Sequence, residues 1–397
     1  MSLKCEATSF RDRHAICLES DTLQVIALTG CGHLASLRLP DVDVNPLWEP
    51  PWPGIEPGTY DLQRHRDIYG PGEGRLLASL AGHSLCLNHF GDLTEAEEEA
   101  DGYHHGEASN LPWTVFEQQA DDRRARLDYG LDLPDAGMRF VRTVEIRPGE
   151  STLYFRERTT NVKRIDSPFC CQQHVTLGPP FVQGGVTRLD FPVKKGMTNP
   201  APVHSTDPLT PNQQFDWPLA PLQSGGTSDL SLYPQEHILT CTTNLLEPVG
   251  DYAFTAVSNA QLGLLLVYCF PHEAFPWTTL WFEHEASEIL PYNKRTTTWG
   301  VEFGSVALAL RFIDTLKAGP LLGLPRFGTL PARNRIEVNY QAHLLRIPPD
   351  WQGVERVEHI DGETVAWERG SERSARTPSD WRVSTQMSTA SKEDLGN

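Results

Sequence analysis

Met138-Arg139-Phe140-Val141-Arg142-Thr143-Val144-Glu145-Ile146 mixes apolar and charged residues in alternation, and Pro148-Gly149 turns it into Thr152-Leu153-Tyr154-Phe155-Arg156-Glu157-Arg158. Successive side chains of a strand point to opposite faces, so this period predicts an antiparallel pair with one packed face and one wet face. Four runs of this kind fill residues 114–162. Toward the N-terminus, Leu23 to Leu28 and Leu34 to Leu39 flank Thr29-Gly30-Cys31-Gly32 as a hairpin. A Pro- and Trp-rich loop, 45–58, either walls a site or covers a sheet edge. Residues 74–90 read as two strands about a Gly turn, and the acidic run Glu95 to Asp101 reads as a solvated loop or helix end.

Toward the C-terminus, residues 195–235 are rich in Pro, Ser, Thr, Gln and Asp. They form a long irregular insertion of a kind that is usually functional or mobile. Strands resume from His237 to Phe303, and the period predicts one helix over 306–316, stopped by Gly319-Pro320. Arg335 to Tyr340 and Val354 to Trp367 close the series, with Asp361-Gly362 as a hairpin turn. Residues 369–397 carry few apolar anchors and are expected to be a disordered tail, leaving 1–368 as a single domain. Helices do not alternate with strands, which argues for a large antiparallel sandwich with few short helices over a parallel βαβ fold.

The composition of the 397 residues agrees: 31 Gly, 31 Pro and only 22% charged residues favour turns and strands over long helices. A formal net charge of −18 with no offsetting basic stripe excludes nucleic acid as a partner and suits small polar ligands. The longest apolar runs, such as Leu262 to Tyr268, are too short to span a bilayer, so no membrane partner is expected. Residues 1–6 lack an apolar signal core. The eight irregularly spaced cysteines read as reduced, core-filling thiols of a cytoplasmic protein, without zinc-ligand spacing. Cys170 and Cys171 would face opposite ways in a strand.

Chemistry concentrates in four places. Tyr103-His104-His105-Gly106-Glu107 sets two histidines and a carboxylate together; if extended, it sends His104 and His105 to opposite faces, and only one enters a pocket. A loop with solvated histidines is the plain alternative, and a metal site using His104, Glu107 and a distant ligand is another. Gln172-Gln173-His174 places a lone His in a strand, where a hydrogen-bonded filler role competes with catalysis. Trp299-Gly300-Val301-Glu302-Phe303-Gly304 sets a carboxylate among apolar residues, where burial demands partners or a raised pKa. Gly250-Asp251-Tyr252-Ala253-Phe254 would ordinarily be a turn.

In order, these segments resemble the aldose 1-epimerase (galactose mutarotase-like) family over roughly residues 20–315. Gly74-Arg75 matches its Gly-Arg segment, His105-Gly106 its His-Gly motif, and Gln173-His174 its second histidine. Gly250-Asp251-Tyr252 stands at its Asp motif and Glu302 at its late glutamate. Ser79, Gln173, Tyr252 and Glu107 replace the family's second arginine, asparagine, histidine and glycine. The acid–base trio is kept while the sugar-reading shell is altered.

The resemblance implies an antiparallel β-supersandwich and an isomerase that interconverts sugar anomers. Glu302 would take the proton of the C1 hydroxyl, His174 would protonate the ring oxygen, and His105 would orient the sugar. Arg75, Asp251 and Trp113 would bind substrate, and Trp48, Trp277 and Trp299 are further aromatics for stacking. Neither a metal nor an organic cofactor is required. The expected partner is a small carbohydrate, with the chain a monomer or homodimer. A non-catalytic carbohydrate-binding or regulatory protein, or a lyase or glycoside-acting enzyme on the same scaffold, are the alternative functions.

Overall fold

The computed structural model describes residues 3–395, and strands dominate it. An eleven-stranded antiparallel sheet runs from Lys4–Phe10 at one edge to Gln214–Asp216 at the other. Its middle is ordered His83–Leu87, Cys171–Leu177, Thr297–Gly304, Trp277–His284, Leu239–Leu246. A nine-stranded sheet packs against it, built around Leu264–Pro271, Asn334–Arg346, Thr152–Asn161, Met138–Ile146 and Ala125–Leu133. Alternate residues of both sheets, among them Leu85, Val175, Val301, Phe303, Phe155 and Leu344, form one core between the layers. This is the antiparallel sandwich that the alternation predicted.

The packed face of the 138–158 hairpin is not wholly apolar. Arg142 falls in phase with Met138, Phe140 and Val144, and it is fully buried with them. Its Nε donates to Glu157 Oε1 at 2.7 Å, and its two terminal nitrogens donate to Gly32 O and Gln173 Oε1, each at 3.1 Å. Gln173 Nε2 and the Tyr340 hydroxyl each donate to Glu157 at 2.7 Å. A buried charge survives when its partners are this complete.

Three further expectations change. Gly74–Ser79 is a helix, because Leu76, Leu77 and Ala78 pack on Trp48, Trp52 and Tyr69, and tertiary burial selects the helical phase. The Gly-centred turn falls at Gly82, φ +47, and only His83–Leu87 is a strand. The helix expected over 306–316 is confined to Phe312–Lys317: Leu308 is left-handed at φ +67, which breaks any helix begun at Val306. The tail from 369 is not disordered across the described residues. Ser374–Pro378 pairs with Glu363–Glu368, and Ser384–Thr389 pairs with Asn334–Arg346. Backbone ladders do what few apolar side chains could, with Val383 and Trp381 as anchors. The last two residues of that tail lie outside the described residues. The 195–235 segment is not wholly irregular either, since it holds short strands at Gln214–Asp216, Leu219–Pro221 and Thr227–Asp229. Asp361 and Gly362, both at positive φ, make the expected hairpin turn.

Candidate active site

A cavity of about 680 Å³ lies on the outer face of the eleven-stranded sheet, within the usual range for small-molecule sites. Strand alternation builds its floor. Along Cys171–Leu177, the residues Cys171, Val175 and Leu177 join the core, so His174 points the other way, into the cavity. Along Thr297–Gly304, Trp299, Val301 and Phe303 point inward and Glu302 outward. The pairing Gln172 to Gly304 and Thr176 to Gly300 sets His174 directly opposite Glu302. On the next strand Thr279 pairs with Glu302 and Trp281 with Gly300, and both line the same floor. Gly300 is there for lack of a side chain: a Cβ would stand 2.7 Å from Glu302 Oε1 and 3.1 Å from Trp281.

His174 Nε2 lies 3.3 Å from Glu302 Oε1, and its Nδ1 is 2.8 Å from the Thr176 hydroxyl. Glu302 Oε2 is buried without a partner. Burial pushes the Glu302 carboxyl well above its ordinary range and the His174 imidazole down to about 4. The two directions agree on one proton held by the pair, resting on the carboxylate side.

His105 completes the group, its ring centroid 5.2 Å from that of His174. The chain here is a turn and not a strand. His105 and Gly106 both have positive φ, at +59 and +82, and Gly106 fits beneath Leu87, whose carbonyl a Cβ would meet at 2.3 Å. Asn110 Nδ2 clamps the turn by donating to His104 O and Gly106 O at 2.7 and 2.8 Å. His105 Nδ1 contacts Cys86 Sγ at 3.2 Å, and burial, then the neighbouring imidazoles, holds the ring neutral. Opposite faces for the two histidines is therefore corrected, because the left-handed residue breaks the alternation and both rings line the cavity.

His105, His174 and Glu302 are thus brought together. The other three expected residues are not. Arg75 donates to both carboxylate oxygens of Asp101 at 2.6–2.7 Å and lies over the Tyr60 and Tyr103 rings, outside the cavity lining. Asp251 is exposed at the turn before Tyr252–Asn259 in the nine-stranded sheet. Trp113 is core: it packs on Tyr129 and Phe140, and its indole donates to Ala108 O at 2.9 Å. Glu107 accepts from the backbone N–H groups of Asp135 and Ala136, which removes it as a metal ligand. Trp48, Trp277 and Trp299 are fully buried.

Sequence reasoning missed Trp281, Glu283 and Asn199, all of which line the cavity. Trp281 and Glu283 share the phase of Thr279, a signal that becomes readable only once the strand is paired beside Glu302. Asn199 comes from the long middle segment, which also gives Ala201, Pro202 and Val203 to the wall.

The fold is that of the galactose mutarotase-like β-sandwich. A candidate aldose 1-epimerase from Klebsiella pneumoniae superposes with a TM-score of 0.62 at 16% identity, covering 87% of this chain and 83% of the other. The galactose mutarotase-like protein of Clostridium acetobutylicum gives 0.55 at 14% identity over 86% and 98%. A candidate mutarotase from Salmonella typhimurium gives 0.54 at 12% over 87% and 94%. No family model and no curated protein sequence matches the chain. At such identities the likeness establishes the fold. Among the described residues no helix is long and apolar enough to cross a membrane.

Proposed function

We propose that the cavity binds an unphosphorylated aldose and interconverts its anomers. The observation that carries this reading is the His174–Glu302 pair on the cavity floor, at 3.3 Å, with one carboxylate oxygen left free. Anomer exchange needs a proton taken from the C1 hydroxyl and one given to the ring oxygen. The pair does both with a single proton of its own. At rest the proton sits on Glu302; its shift to His174 gives an ionic state in which Glu302 accepts from the hydroxyl while protonated His174 gives to the ring oxygen, and the pair ends neutral as the ring opens. Burial favours the neutral pair, so the cost of forming the ionic one is returned on ring opening. Rotation about C1–C2 and the reverse transfer close the ring on its other face. His105, with Nδ1 turned to Cys86, offers Nε2 to orient the sugar.

Among the described residues no Lys or Arg lines the cavity, whereas Glu73, Asp92, Glu98, Glu283 and Glu302 do. A phosphate would find no cation to pair with, which supports a neutral sugar. A second reading, a carbohydrate-binding protein without turnover, is favoured by two observations: Arg75 is occupied by Asp101, and Asp251 is outside the cavity.

One-dimensional NMR of freshly dissolved neutral aldoses, with aldose 6-phosphates for contrast, tests both. The wild type should speed α/β exchange of a neutral sugar, and Glu302→Gln should lower that rate by about 10²-fold or more with binding retained. Full activity in Glu302→Gln removes the assignment. Saturable sugar binding with no exchange in the wild type selects the second reading.

A further inference from the structure

At the rim of the same cavity, Glu73, Asp92 and His104 bring three donor atoms within 4.8 Å of one another. They come from the residue before the Gly74–Ser79 helix, the loop after His83–Leu87 and the clamped histidine turn. His104 is 9% exposed, and its Nδ1 is buried without a hydrogen-bond partner, 4.0 Å from Glu73 Oε1. An orphaned imidazole nitrogen facing the Glu73 carboxylate is costly unless something fills the gap. On the other side of the ring, Glu98 Oε1 lies 3.9 Å from Nε2, the place of an outer carboxylate that orients a metal-bound histidine.

We infer that Glu73, Asp92 and His104 bind a divalent first-row transition cation, Zn²⁺ or Mn²⁺, in the wall of the cavity. The chemistry of the donors sets the class: one neutral imidazole with two carboxylates suits these ions, whereas Ca²⁺ and Mg²⁺ prefer oxygen alone. Tetrahedral bonds of about 2.0–2.2 Å put donors about 3.3–3.6 Å apart. Closure from as much as 4.8 Å asks for a shift of about an ångström, which side-chain rotation of the exposed Asp92 supplies. Three protein ligands leave positions open toward the cavity, for water or a ligand's oxygens. The site uses the histidine of the metal expectation above with different partners, and it stands whether or not the cavity turns over a sugar.

Calorimetric titration of chelator-treated full-length protein with Zn²⁺ and Mn²⁺ decides the matter. One ion per chain is expected, with affinity weakened at least about tenfold in Asp92→Asn and in His104→Gln. Asp92 is exposed, so its variant keeps the fold, which a thermal melt verifies. His237→Ala controls for adventitious Zn²⁺ at the surface His237–His284 pair, whose rings are 5.6 Å apart, and should leave the one-ion stoichiometry intact. No saturable binding by the wild type, or unchanged binding in Asp92→Asn, overturns the site. So does binding that disappears with His237→Ala.

Discussion

At the scale of single residues, the cavity sets the His174–Glu302 pair beside the Trp281 indole. Trp281 stands edge-on to His174, Trp48 and Tyr292, at centroid distances of 6.2, 6.5 and 6.3 Å. Three rings hold it, and it remains the one tryptophan lining the cavity among the described residues. Stacking on a sugar face is binding energy that does not depend on where the proton is. Trp281→Ala should therefore raise KM about tenfold, near the ~1.4 kcal/mol upper range of an aromatic contact, with kcat within about twofold. Initial rates across sugar concentrations measure the split. A fall in kcat at unchanged KM would show that the indole acts by holding the His174 ring. His174 and Glu302 were readable in the sequence as candidates, because each is a lone ionisable group in an otherwise apolar or uncharged strand. Trp281 was not, since nothing local distinguishes it from nine other tryptophans.

At the scale of elements, neighbouring strands deliver the chemistry by register, and glycine keeps the face open. Gly300 and Gly304 flank Glu302 on its own side of the sheet. A methyl group at Gly300 has to displace either the carboxylate, at 2.7 Å, or Trp281, at 3.1 Å. Gly300→Ala should lower kcat several-fold by turning Glu302, and cost about 1–3 kcal/mol of stability as an overpacked site. Urea unfolding and anomer-exchange rates on the same variant check the two halves. Unchanged exchange in a destabilised variant would mean that the indole moves and not the carboxylate. The histidine turn shows the limit of pattern reading at this scale. His105 at positive φ is uncommon for a residue with a side chain, and it holds only because Asn110 binds the carbonyls on either side. Period-two reasoning has no means to foresee such a clamp.

Across the whole molecule, burial of titratable groups between and behind the sheets sets the pH response. His33, His83 and His343 are fully buried, and desolvation first among the causes holds His343 down to about 3 and the other two well below 6.5. Both ring nitrogens of His33 lack partners. In the unfolded chain these imidazoles take up protons near pH 6.5, so the unfolded state binds more protons below that value. Stability is then complete above pH 6.5 and lost as pH falls toward 3. Each group contributes about 1.4 kcal/mol per pH unit, and the three together approach about 4 kcal/mol per unit. Urea midpoints measured from pH 7.5 to 4.5 should fall steeply below 6.5, whereas a flat profile would mean that these rings reach solvent in the native state. By itself the sequence determined the antiparallel sandwich and the strands of His174 and Glu302, because side-chain period and lone ionisable groups are local properties. Only the tertiary structure decided that Arg75, Asp251 and Trp113 stand away from the cavity, that Arg142 is interior, that the tail is paired, and that Glu73, Asp92 and His104 meet. Those outcomes depend on which distant segments share a surface, and that is fixed by packing between strands far apart in the chain.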